Sequence, residues 1–230
     1  MEHKIALYGF NNLSKALSLN LYDVRRAETE EERRGYVREI NGRYSAGRLA
    51  GILHEVADRI GAQVINVSKQ DYIPQGASVA LLIAEEPVEA GPQTLLGHLD
   101  KSHITVHTYP ESHPGSAVAT FRADIDVSTC GEISPLGTLD YLIGCFDPAI
   151  VTMDYRVRGF TRDADGTKIF MDHSIASIRD FIQPEILLRY DAVDSNNVQC
   201  NLFHTKLLIK EMDPRLRREM AEIWGGANHT

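Results

Sequence analysis

The chain has 230 residues, of which 43% are hydrophobic and 24% charged, with a formal net charge of −8. That length builds one substantial core, and the acidic balance speaks against nucleic acid or an anionic membrane as partner, since both attract basic faces. No apolar run approaches the roughly 20 residues of a bilayer span, Met-Glu-His-Lys opens no signal-peptide pattern, and Cys130, Cys145 and Cys200 lack paired spacing, so free thiols in a reducing cytoplasm are expected.

Lys4–Tyr8 is a short strand candidate, and Asn11 or Asn12 caps a helical pattern through Leu13, Leu17 and Leu21. Thr29 and Glu32 stand at capping-box spacing before a charged helical segment reaching Ile40. Ser45 caps a second helix, with Leu49, Ile52, Leu53, Val56 and Ile60 as its stripe and Gly61 at its end. Gln63–Ser68 is a strand, Asp71–Ser78 a turn with Pro and Gly, and the apolar run Val79–Ala84 a buried strand. Glu85–Gly97, with two prolines and two glycines, is an exposed loop.

Leu99–Pro114 follows, with Ser102, Ile104 and Val106 alternating against His103, Thr105 and His107 at the period of a strand. Ala117–Val127 alternates as well, with Arg122, Asp124 and Asp126 on its polar face, and ends at Ser128-Thr-Cys-Gly131. Ser134-Pro135 opens a helix to about Cys145, and Ile150–Val157 is another alternating strand. Asp165-Gly166 makes a hairpin turn into Lys168–Met171. A helix over Ser174–Phe181, a long strand near Val198–Ile209 and a last helix from Asp213-Pro214, with Leu216, Met220 and Ile223 as its stripe, complete the chain. There is no internal repeat. The fold class expected is α+β: a layered α/β sandwich whose largely antiparallel sheet is covered by helices.

Two chemistries suggest themselves from the residues. His98, His103, His107 and His113 invite a metal, but His103 and His107 lie about 13 Å apart on an extended strand, too far to share one ion. Asp124 and Asp126 are candidate ligands that an exposed strand face explains equally well. Ser102 and His107 invite a nucleophile and its base, yet they stand at opposite parity and about 16 Å apart along one strand, beyond hydrogen-bond reach. No nucleophile elbow, phosphate loop or dinucleotide glycine motif occurs.

Over most of its length, and in the same order, the sequence resembles the bacterial S-adenosylmethionine decarboxylase proenzymes in their longer form. The matching pieces are Gly9-Phe-Asn-Asn-Leu13, Asp71-Tyr-Ile-Pro-Gln-Gly-Ala-Ser78, Leu99–Pro114, Phe121-Arg-Ala-Asp-Ile125, Val127-Ser-Thr-Cys-Gly131, Ile133-Ser-Pro-Leu136, Asp154–Asp163 and Phe203-His-Thr-Lys206. The resemblance implies a single catalytic domain over residues 1–230 that cuts itself between Lys101 and Ser102, leaving a β chain of residues 1–101 and an α chain of residues 102–230. Attack of the Ser102 hydroxyl on the Lys101 carbonyl gives an ester, and β-elimination and hydrolysis then turn Ser102 into a pyruvoyl cofactor. Its ketone forms a Schiff base with the substrate amine and acts as the electron sink for loss of CO2.

Residue by residue, His107 matches the processing base and Ser78 a serine that assists it. Cys130 matches the proton donor to the substrate α-carbon, a role open to a thiol because its ordinary pKa is near 8.5. Glu111 matches a carboxylate for the ribose hydroxyls, and Tyr72 and Phe10 match aromatics that stack on adenine. Because Ser102 and His107 are too distant within one strand, sites shared between protomers of a homodimer or higher oligomer are expected, with Ser102 and Cys130 of one protomer meeting Ser78, His107 and Glu111 of another. Lys101, where other branches carry Glu, fits the longer form, whereas the loop Glu85–Gly97 and the C-terminal tail are short for it. Residues 166–230 extend beyond the core shared with short members and are assigned to assembly or to a Mg2+ requirement. The implied function is conversion of S-adenosylmethionine to its decarboxylated form for spermidine synthesis. The alternatives are the same chemistry on ornithine or arginine, and a non-catalytic regulatory subunit.

Overall fold

The computed structural model describes residues 11–84 and 102–225. The expected strand at Lys4–Tyr8, Phe10, the loop Glu85–Gly97 and Lys101 lie outside them. Among the described residues ten strands appear: β1 (Ser14–Arg26), β2 (Gln63–Asp71), β3 (Ala77–Ala84), β4 (His103–Ser112), β5 (Val118–Cys130), β6 (Ile150–Arg158), β7 (Thr161–Arg162), β8 (Lys168–Ile169), β9 (Tyr190–Asp194) and β10 (Leu202–Ile209). Eight form one sheet in the order β2-β3-β4-β5-β1-β6-β10-β9, with every pairing antiparallel. β7 and β8 form a small hairpin whose turn carries Gly166 at φ +81.

Helices α1 (Glu30–Arg43), α2 (Ala46–Arg59) and α3 (Leu139–Phe146) cover one face of the sheet. The capping box expected at Thr29 and Glu32 is present in both directions. At α2 the expected N-cap Ser45 makes no side-chain cap; Asp71 Oδ1 accepts the Ala46 N–H instead, at 2.7 Å. The core lies between this layer and the inward residues of the strands. Tyr44, just past α1, stacks on Phe121 of β5 at 4.7 Å and on Phe146 of α3 at 5.0 Å.

The helix expected through Leu13, Leu17 and Leu21 is strand β1. A spacing of four belongs to period 2 as well as to period 3.6. The deciding positions are Lys15 and Leu19, buried like the three leucines, while Ser14, Ser18 and Asn20 between them are only half-buried. β1 is the central strand, paired with β5 along its whole length and with β6 along most of it.

Three further expectations are corrected. The helix expected over Ser174–Phe181 is a single 3-10 turn, Ile178–Phe181, capped by Ser177 and Asp180, because Ser177 stands extended with its hydroxyl donating to Asp194 Oδ2 at 2.8 Å and the residues before it bend irregularly. The strand expected from Val198 starts at Leu202, after a 3-10 turn that ends with Asn201 at φ 49. The helix from Pro135 begins as a 3-10 turn before α3. Two elements have no counterpart among the sequence-based expectations, β9 and the one-turn helix α4 (Pro184–Leu187).

The other face of the sheet is polar. Its rows read Ser78, His107, Asp124, Asn20 and Thr152, then Ala80, Thr105, Asp126, Ser18 and Asp154, across β3, β4, β5, β1 and β6. Among the described residues one corner is covered, where Met220 of α5 (Pro214–Gly225), with Leu216 packed against the cluster, joins Val24, Val118, Ile150 and Leu208. That corner is at the end of β1 farthest from Cys130.

Candidate active site

The chain enters β4 through a bend at Ser102. The regular ladder with β5 begins one residue later, at His103 opposite Ser128, so strand parity does not bind Ser102 and it leaves the face expected of it beside Ile104. Its side chain is buried, at 1% exposure, and Oγ lies 3.0 Å from Sγ of half-buried Cys130. Cys130 shares the parity of Asp124 and Asp126 and so belongs to the polar face. The pair is 28 residues apart in sequence and is brought together by the β4–β5 hairpin.

The chain around Cys130 is held by three hydrogen bonds. Gly131 turns at φ +67 and donates its N–H to Leu13 O at 3.0 Å, while Lys15 Nζ donates to Gly131 O at 3.0 Å. Before Cys130, Thr129 Oγ1 donates to Ile133 O at 3.0 Å.

A second group sits farther along the same face. His107 is exposed and lies between its register partners Ser78 on β3 and Asp124 on β5. Burial raises the Asp124 pKa and the nearby Asp126 adds to this, while the Arg122 and His107 charges act against them. Ser78 Oγ is 2.8 Å from the Tyr72 hydroxyl, and Tyr72 is 44% exposed. Glu111 stands at the same parity as His107, and Thr120 Oγ1 donates to its Oε2 at 3.3 Å. Between His107 and Glu111 lies Tyr109, 47% exposed, with the Arg122 guanidinium 4.4 Å from its ring centre. Tyr109 is not among the residues singled out from the sequence, although an aromatic at an outward strand position is a usable signal.

The turn carrying Tyr72 and Ser78 is fixed from several directions. Tyr72 N–H donates to Gly76 O at 2.8 Å, Gly76 N–H to Asn41 Oδ1 at 3.1 Å, and Ala77 N–H to Thr108 Oγ1 at 2.8 Å. Gly76 is at φ +91, and a Cβ there would stand 2.7 Å from Thr108 O, so only glycine fits the turn against β4.

The structure thus brings Ser102 to Cys130 and Tyr72 to Ser78 and His107, and keeps the two groups apart. The five residues from Ser102 to His107 along β4 span about 16 Å. Between the groups the face holds a shallow cavity of about 380 Å³, lined by Asn66, Ser68, Ala80, Leu82, His103 and Thr105. Asp126 accepts a short hydrogen bond from Ser18, and Asp124 pairs with Arg122 at 3.0 Å. Among the described residues no three His, Cys, Asp or Glu side chains stand together as a metal site.

The family model for S-adenosylmethionine decarboxylase matches residues 44–159. A protein of Clostridium botulinum (strain Eklund 17B), described as S-adenosylmethionine decarboxylase proenzyme, is 51% identical over 266 aligned positions that take in 99% of this chain and 98% of that one. The chain belongs to the S-adenosylmethionine decarboxylase family. A relative of the same description from Alkalilimnicola ehrlichii is 52% identical, over 99% of this chain and 97% of its own length. These alignments run longer than the chain's 230 residues, so the relatives carry segments that it lacks. The solved adenosylmethionine decarboxylase of Aquifex aeolicus covers 72% of this chain and 99% of its own, at 18% identity and a TM-score of 0.36, a likeness too remote to carry a point of geometry.

Membership of this family implies a pyruvoyl-dependent enzyme in general, and the surroundings of Ser102 fit a pyruvoyl group. The hydroxyl is buried and a thiol stands within hydrogen-bond distance of it. A magnesium ion finds no cluster of three or more His, Cys, Asp or Glu ligands among the described residues.

Proposed function

We propose that the chain cleaves itself between Lys101 and Ser102 and that the product decarboxylates S-adenosylmethionine. The observation that carries this reading is the buried Ser102 hydroxyl 3.0 Å from the Cys130 thiol, in a chain about half identical to named proenzymes.

In the self-cleavage, Ser102 Oγ bonds to the Lys101 carbonyl carbon as the peptide C–N bond breaks, and the hydroxyl proton passes to the freed amine. His107 then takes the Ser102 α-proton as the ester C–O bond breaks, leaving residues 1–101 with a free carboxylate. Ser78, held by the Tyr72 hydroxyl, assists at the same place. Water then adds at the α-carbon of the dehydroalanine left by the elimination and ammonia departs, completing the pyruvoyl group, which, once present, would take the substrate amine and accept the electrons released with CO2. Cys130 returns a proton to the substrate α-carbon from a thiol already aimed at residue 102. Glu111 accepts from the ribose hydroxyls, and Tyr72 and Phe10 take the adenine.

His107 can reach Ser102 only from another copy of the chain. Turning a second sheet face to face with the first, about an axis that crosses the strands near Thr105, exchanges the Ser102 end of β4 with the His107 end. The open polar face and the cavity between the two groups support this arrangement; the cavity's size is within the range of small-molecule sites. We therefore place the substrate between two protomers of a cytoplasmic homodimer.

Intact-mass measurement and CO2 release test the reading together. Expected are two chains separating at Ser102, CO2 from S-adenosylmethionine but not from ornithine or arginine, and, in Cys130→Ala, normal cleavage with turnover lower by about a hundredfold. A single chain of full mass, or CO2 from another amino acid, overturns it.

A further inference from the structure

The family model ends at residue 159, and residues 166–230 have no place in the chemistry described so far. Two of them nevertheless reach the centre of the molecule. Asp172 and His173 are 5% and 6% exposed, at a bend before the 3-10 turn at Ile178. Burial of a carboxylate costs heavily unless it is paired and hydrogen-bonded. Here Lys15 Nζ donates to Asp172 Oδ2 at 2.6 Å, and His173 Nδ1 lies 2.7 Å from Oδ1. His173 Nε2 is 3.2 Å from the hydroxyl of buried Tyr155 on β6. Burial pushes the Asp172 pKa up, but the hydrogen bonds from His173 and Lys15, with the Lys15 charge, outweigh it and hold the carboxyl below its ordinary range.

Lys15 occupies an inward position on β1 between Leu13 and Leu17, where an apolar residue would ordinarily stand. Its ammonium has a second contact, the 3.0 Å hydrogen bond to Gly131 O. A polar chain therefore runs from Tyr155 through His173, Asp172 and Lys15 to the carbonyl beside Cys130. The network lies on the helix side of the sheet, and the thiol on the other.

We propose that Asp172, acting through Lys15, is a positioning residue for Cys130: it fixes the Gly131 carbonyl, and with it the backbone that aims the thiol at residue 102. The proposal rests on the reading of Cys130 as proton donor. It gives the C-terminal segment a role at the reacting centre that it does not touch. An ion pair serving stability alone would be replaceable by neutral side chains of similar volume, since removing both charges together leaves no lone buried ion.

Lys15→Met with Asp172→Asn is that replacement; the new amide at position 172 can still accept from His173, while the Gly131 carbonyl loses its donor. The double variant should fold, cleave at Ser102 and keep KM within about twofold, while kcat falls by about tenfold or more because the donor is misplaced. A second readout is independent of turnover. Iodoacetamide should label Cys130 about threefold faster than in the unaltered protein, because loss of a backbone hydrogen bond loosens the turn, while Cys145 and Cys200 label as before. A folded, cleaved double variant whose kcat and Cys130 labelling stay within about twofold of the unaltered protein overturns the proposal, since a 1 Å displacement should cost more. So does a folded variant that stays uncleaved, because the pair would then serve processing. Should the double variant fail to fold, Lys15→Leu with Asp172→Asn, which likewise removes both charges and the donor to Gly131 O, carries the same two measurements, with the same results expected and the same results overturning the proposal. Full turnover in Cys130→Ala would instead remove the donor role itself, a result separate from the labelling.

Discussion

Co-expression of Ser102→Ala and His107→Ala chains decides whether sites are shared. Within one protomer the hydroxyl and the imidazole are five residues apart along β4, about 16 Å, against the roughly 3 Å needed for proton transfer. Neither variant alone should be cleaved, since each lacks one of the two groups at every site. In a mixed dimer one site carries both lesions, while the other combines Ser102 of the His107→Ala chain with His107 of its partner and is complete. Equal co-expression with random pairing makes about half of the dimers mixed, so about a quarter of all chains should be cut, each of them a His107→Ala chain. A mass difference between the two variants shows which chain was cut. If no cleaved chain appears in dimers shown to be mixed, or if His107→Ala is cut by itself, the shared-site reasoning fails.

Gly76→Ala should destabilise the protein by about 1–3 kcal/mol, since it forces a side chain into a left-handed position and against Thr108 O. The shift should appear in the urea midpoint, together with slower self-cleavage as Tyr72 and Ser78 are displaced. The Asp172 pKa is lowered in the folded state, so its stabilising contribution is complete above the unfolded value near 3.9 and is lost as pH falls through the folded value. Asp23 and Asp124, raised chiefly by burial, act in the opposite sense. The Lys15→Met, Asp172→Asn protein should accordingly lose less stability below about pH 4 than the unaltered one, read from urea midpoints at several pH values; an equal loss would show that the pair carries none of the acid sensitivity.

Much of this arrangement is legible in the sequence because one residue type decides it locally. β5 announces itself through Arg122, Asp124 and Asp126 alternating with Phe121, Ala123 and Ile125, and α1 through Thr29 and Glu32. β1 reads as a helix because four-residue spacing suits two periods, and the lysine that would break the tie is paid for by a carboxylate 157 residues away. No local pattern reports such a pairing. The grouping of Ser78 with His107 follows from strand register and can be anticipated only through the family resemblance. The meeting of Ser102 with Cys130 depends on a bend that parity cannot express.

If the chain is cut before Ser102 as proposed, the sheet order decides what becomes of the two products. β1, β2 and β3 come from before residue 101, and the other five strands of the sheet from after it, yet β1 lies between β5 and β6. The two products would be interlaced, and pulling them apart would mean opening both of β1's ladders and the β3–β4 ladder at once. A native gel or a sizing column should therefore see no difference between precursor and mature protein, and only denaturant reveals the cut. Made separately, the pieces would expose long bare strand edges that invite aggregation. Synthesis as one chain threads the central strand into place ahead of any such cut.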